Sequence, residues 1–161
     1  MKALVVFYSR TGITKEVAVL ISEELDCDIE EIFDVKTRKG ILGFIKSCIE
    51  SAFRIMPKIK ESGVDPKTYD FVIIGTPIWV GNMASPVRTY LSQNNEKLDK
   101  VAFFCTMQGN DYKKTFLEME RVSESDPLAC LALTSKEIKQ EKHIKKVKEF
   151  IKEIKKNYKK I

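Results

Sequence analysis

Four unbroken apolar runs constrain this chain more than any other feature: ALVVFY at 3–8, FVIIG at 71–75, VAFFC at 101–105 and LACLAL at 128–133. A strand with one face in water alternates apolar and polar residues. A strand that does not alternate is buried on both faces, as in a parallel sheet between two layers of helices. A weaker run, DIEEIFD at 28–34, carries polar positions that suit an edge strand. Between the runs the period changes from two to about 3.6. Residues 14–25 put Val17, Ala18, Ile21 and Leu25 on one stripe, and 41–56 do so with Ile41, Ile45, Cys48, Ile49, Ala52 and Met56. A helix is expected over 84–94, with Pro86 near its start, and another over 112–123. The last helix is expected over 136–158, on Ile144, Val147, Ile151, Ile154 and Tyr158. Strand and helix alternate five times, which predicts an α/β fold: a doubly wound, five-stranded parallel sheet with helices on both faces. Pro57, Gly63 and Pro66 mark loops rather than a linker, so residues 1–161 read as a single domain.

In such a sheet ligands sit beyond the carboxyl ends of the strands. Three loops are therefore the candidate site. The first is Ser9-Arg10-Thr11-Gly12-Ile13-Thr14. A helix start offers unpaired N–H groups and a favourable dipole to an anion, and short hydroxyls add donors without bulk. A phosphate fits there, and so does an ordinary helix cap by Thr11 or Thr14. The loop lacks both the Gly-Lys-Ser/Thr ending of a Walker A motif and a Gly-x-Gly-x-x-Gly pattern. The second loop runs Thr76-Pro77-Ile78-Trp79-Val80-Gly81-Asn82-Met83 and on to Pro86, with the only tryptophan of the chain. Its indole can stack on a planar ring or pack over the sheet edge. The third is Thr106-Met107-Gln108-Gly109-Asn110-Asp111, which can line the other side of a ring or be a plain turn.

Composition removes several function classes. His143 is the only histidine, so a histidine triad or multi-histidine metal site is not expected. Cys27, Cys48, Cys105 and Cys130 form no Cys-x-x-Cys motif and read as buried, reduced thiols. No apolar stretch is long enough for a transmembrane span, and the first run is followed by no signal cleavage site, which suggests a cytoplasmic protein. The net charge of +5 is uneven: residues 136–161 carry +7, residues 36–60 carry +6, and the rest is acidic. The final helix needs its lysines only as a solvated face, or as a dock for an acidic redox partner. No aromatic interleaving supports nucleic acid. Residues 36–60 read either as a second core helix or as an apolar surface with a basic rim, for partner docking or dimer contact.

Ser9-x-Thr11-Gly12-x-Thr14 after the first strand resembles the phosphate loop of the flavodoxin family, and YDFVIIGTPIWVGNMASPVRTYL at 69–91 resembles its third strand and ring-binding loop. The resemblance runs over nearly the whole chain. It implies strand order 2-1-3-4-5 and non-covalent FMN. By position, Ser9 through Thr14 would hold the FMN phosphate, and Thr76 through Met83 would wrap the isoalloxazine, with Trp79 stacked on it. Gly81-Asn82 is similar to the family's flexible peptide beside flavin N5, and Thr106, Met107, Gln108 and Gly109 would touch the opposite edge. Two departures stand out: the third loop has no aromatic, Tyr112 being the nearest, and the family is commonly acidic. The resemblance implies an electron carrier between redox proteins, more than an enzyme, as a monomer or weak dimer. GNMASPVRTYL is also similar to the loop of tryptophan-repressor-binding-protein-type reductases, which makes an FMN-dependent NAD(P)H:quinone reductase the alternative. A binding module that has lost its flavin is the third.

Overall fold

A computed structural model describes residues 1–35, 40–109 and 111–160; Lys36, Thr37, Arg38 and Lys39 of the first basic block and Asn110 of the third loop lie outside the described residues. The strands are β1 (Ala3–Phe7), β2 (Asp28–Glu31), β3 (Phe71–Trp79), β4 (Asn82–Met83), β5 (Val101–Met107) and β6 (Pro127–Thr134). The helices are α1 (Ile13–Leu25), α2 (Gly40–Ala52), α3 (Ser85–Asn94), α4 (Lys113–Ser123), α5 (Ser135–Lys139) and α6 (His143–Tyr158). The sheet order is β2-β1-β3-β5-β6, with every neighbour parallel. The two-residue β4 pairs antiparallel with the end of β3. With β4 set aside, this is the expected doubly wound order 2-1-3-4-5.

The absence of alternation in β1 follows from the burial. Ala3, Val5 and Phe7 join one core with α1 and α6, while Leu4, Val6 and Tyr8 join the other with α3 and α4. Gly75 sits in register between Phe7 and Phe104 at the middle of the sheet. The Phe104 ring occupies the space where a Cβ on residue 75 would stand, so only glycine lets that ring lie across β3.

Three expectations need correction. The final helix is two helices. A reciprocal capping box, Thr134 with Glu137, starts α5, and Glu141 at φ 55° ends it before α6 begins. The second helix stops at Ala52, with Arg54 at φ 56°, short of Met56. Its stripe of Ile41, Ile45, Ile49 and Ala52 faces outward, and Ser47, Glu50 and Ser51 are the buried side. It is therefore not a second core helix. Of the cysteines only Cys105 is buried; Cys27 and Cys48 are half-buried, Cys130 is exposed, and all four are unpaired.

Candidate functional site

The carboxyl ends of β1, β3 and β5 open into a cavity of about 520 Å³, inside the usual range for a small-molecule site. Its walls come from all three expected loops and from two elements that were not expected, α2 and the start of α5.

Arg10, Thr11, Ile13 and Thr14 form one end. Helix α1 starts behind Gly12, at φ 90°, with no side-chain cap, so neither Thr11 nor Thr14 caps it. Thr14 is buried, its hydroxyl bonded to that of Thr106 at 2.8 Å, which fixes the first loop to the third. Ser9 does not line the cavity: its Oγ accepts from the Gly12 N–H at 3.1 Å and shapes the turn from inside. Gly12 is exposed and does not line the cavity either.

The second segment is a hairpin, not a loop. β3 continues through Trp79, and Val80 and Gly81 turn the chain with both φ angles positive, 50° and 69°. Such a pair matches the twist of a two-residue hairpin. Pro77, Ile78, Trp79, Val80 and Gly81 line the cavity; Thr76, Asn82 and Met83 support it. The Thr76 hydroxyl accepts from the Ala84 N–H at 2.9 Å and donates to the Pro77 carbonyl, closing the hairpin's base. The Asn82 amide donates to the Val80 carbonyl at 3.0 Å. The Gly81 carbonyl accepts a long bond, 3.4 Å, from Thr115 on α4. Trp79 is largely buried, meeting Tyr8 edge-on at 5.6 Å between centroids. It packs over the sheet end and lines the cavity at once.

From the third segment Thr106, Met107, Gln108, Gly109 and Asp111 line the opposite wall, the first two as the end of β5. Tyr112 faces a different groove, where it packs against Phe116. The second aromatic of the cavity is Phe44 of α2, accompanied by Cys48. Arg10 joins that helix to the first loop: its guanidinium donates to the Gly40 carbonyl at 2.9 Å and lies 5.1 Å from the Phe44 ring centre. Ser135 also reaches the wall, its hydroxyl bonded to the Met107 carbonyl. No sequence signal marked Phe44, since α2 has no motif of its own. Cys105, which precedes the lining residue Thr106 on β5, has its thiol pushed up to about 12, chiefly by burial, and stays protonated. Among the described residues no group of three histidine, cysteine or acidic side chains could hold a metal.

The model of the family described as Flavodoxin matches residues 2–154. The chain belongs to the flavodoxin family. A flavoprotein from Lactobacillus acidophilus, solved in complex with FMN, superimposes with a TM-score of 0.72 at 25% identity, over 86% of this chain and 97% of that one. The two-electron reduced flavodoxin of Megasphaera elsdenii gives 0.56 at 14% identity, over 81% and 85%. A flavodoxin WrbA-like protein from Agrobacterium tumefaciens gives 0.54 at 14%, over 77% and 74%. The last two show a shared fold. No curated protein matches the chain. In flavodoxin terms the cavity lies at the carboxyl rim of the sheet, where β1 and β3 diverge to helices on opposite faces. It has a cationic end at Arg10, an aromatic and aliphatic middle, and a polar edge at Gln108, Gly109 and Asp111.

Proposed function

We propose that the cavity binds FMN and that the protein passes electrons between redox proteins. The observation that carries this reading is the order of chemistry along one cavity: an uncapped helix start beside Arg10, then Trp79 and Phe44, then a polar edge. The first N–H groups of α1 and the Arg10 guanidinium suit a phosphate. Trp79, Phe44, Ile78 and Met107 suit a flat apolar ring. The Val80–Gly81 turn forms the lip, where the exposed Val80 would leave one edge of that ring within reach of a partner. Bound there, FMN supplies the electron-accepting and electron-donating chemistry, and the protein tunes and orients it. Asp111 is the single carboxylate among the described lining residues. That wall provides no acid–base pair of the kind group transfer needs, which favours a carrier over a hydrolase or transferase.

Absorbance of the purified protein before and after FMN addition tests the binding. Bound flavin should show as structured, shifted visible bands at one FMN per chain. Arg10→Ala should weaken the affinity about tenfold, through loss of one charge-assisted contact, and Trp79→Ala at least as much. A colourless chain that leaves the FMN spectrum unmoved sinks the proposal. The carrier role is tested by exchange: the reduced protein should give up electrons rapidly to other redox proteins, whereas steady NADH oxidation with a quinone would assign the reductase.

A further inference from the structure

The parallel sheet has two edges, and they are treated differently. On the β2 side, residues 33–35 bridge to 58–60: the Val35 N–H donates to the Lys58 carbonyl and the Lys60 N–H to the Phe33 carbonyl. The Glu30 carboxylate there accepts from the Ser62 hydroxyl and the Gly63 N–H. On the other side β6 has only β5 beside it. Side chains answer the two ends of its free edge. The Asn157 amide donates to the Leu128 carbonyl at 2.7 Å, and the Thr134 N–H donates to the Glu137 carboxylate at 2.8 Å. Backbone groups of alternate residues point to alternate sides of a strand, so Cys130 and Ala132 turn theirs the same way as Thr134. Among the described residues nothing pairs with them on that side. After Pro127 the strand reads LACLALT, with no charge and no proline to keep a further strand away.

A groove of about 580 Å³ lies along this stretch, and its two walls differ. Tyr112 and Phe116, at the start of α4, make an aromatic wall. Glu149 and Glu153 of α6 make an acidic one. Lys146 also reaches the groove, but it is bound to Glu137 at 2.6 Å. Glu149 meets only Lys145 of its own helix, at 3.8 Å, and Glu153 has no ion pair among the described residues. Helices α4 and α6 cover opposite faces of the sheet. A strand added at this edge therefore sends alternate side chains to the aromatic wall and to the acidic wall. The β6 strand of a second copy does not suit the place, because PLACLALT brings no cation to the acids.

We infer that the free edge of β6 takes an extended segment of a partner protein, one in which basic and apolar residues alternate. Its backbone continues the sheet past Cys130 and Ala132, its basic side chains meet Glu149 and Glu153, and its apolar ones meet Tyr112 and Phe116. Met107 lines both this groove and the cavity, so the segment lies one side chain away from the cavity. The inference does not depend on what the cavity binds.

Fluorescence anisotropy with the full chain and a labelled peptide of alternating lysine and valine tests it. The peptide should bind, and amide hydrogen exchange at Cys130 and Ala132 should slow when it does. The same peptide methylated on alternate backbone nitrogens should bind about tenfold more weakly, because it cannot donate to the edge. The Glu149→Gln/Glu153→Gln double variant should keep the circular dichroism of the parent, both side chains being exposed, and weaken binding about fivefold. No rise in anisotropy overturns the inference. Equal binding of a glutamate–valine peptide overturns it by removing the charge selection, and equal binding of the methylated peptide overturns it by removing the strand pairing. A dimer in sedimentation analysis that itself protects the Cys130 and Ala132 amides overturns it in favour of a second copy.

Discussion

Val80 is the residue that the fold tolerates least on local grounds. A β-branched side chain at φ 50° crowds its own backbone, a cost on the order of 1–2 kcal/mol. Nothing in the core repays it, since Val80 is exposed at the lip of the cavity. Asparagine tolerates this conformation, and Asn-Gly is the favoured pair for a hairpin turn of this kind. Val80→Asn should therefore stabilise the protein by about 1 kcal/mol and raise Tm by about 2–4 °C. A Tm at or below the parent's would show that the valine sits there without strain. At this scale the sequence was informative about identity and silent about role. Ser9, Gly12, Thr76, Asn82 and Met83 stand beside cavity residues in the chain, yet none of them lines the wall.

Among the elements, Glu118 ties three helices together. Its carboxylate takes Arg88 of α3 at 3.0 Å, Arg121 of its own helix at 3.1 Å, and Arg54 just beyond α2 at 3.2 Å. Burial pushes its proton affinity up, but hydrogen bonds from Arg88 and Arg121 and the charges of Arg88 and Arg54 hold the carboxyl below its usual value. Glu137, in the capping box of α5, is held at about 2 by Lys146 and the Thr134 amide and hydroxyl. Both groups are acids whose folded pKa is depressed, so their contribution is complete above the unfolded value near 4.5 and is lost as pH falls below it. Urea midpoints should hold steady from neutrality down to that value, then drop towards pH 2. Glu118→Gln should cost about 3–5 kcal/mol at neutral pH, because it leaves Arg88 charged and buried, and should flatten the acid decline. A variant that keeps the parent's full acid sensitivity would show that Glu118 is not responsible.

For the whole molecule, the consequence of an open cavity is linkage. A ligand that binds only the folded chain adds RT ln(1 + [L]/Kd), about 2.7 kcal/mol at a hundredfold excess over Kd. In a chain of 161 residues that corresponds to a rise in Tm of roughly 5–11 °C on saturation with FMN. Riboflavin, which lacks the phosphate, should give a clearly smaller rise if Arg10 and the start of α1 hold that group. Equal shifts would place the binding energy in the ring alone.

Most of the architecture could be read from the residues alone. Buried parallel strands have to be apolar on both faces, and a helix that covers them has to keep one apolar stripe. Those are local requirements, so the runs at 3–8, 71–75 and 101–105 fixed the strands, and the loops that follow them marked the rim. Which wall each loop residue faces, and which way α2 is turned, was settled by distant neighbours. Hydrophobic periodicity shows that a helix has an apolar side without showing what lies against it. Here Ser85 and the sheet took the polar side of α2, Arg10 drew its first turn to the loop after β1, and Phe44 became cavity wall while Ile41 and Leu42 were left facing out.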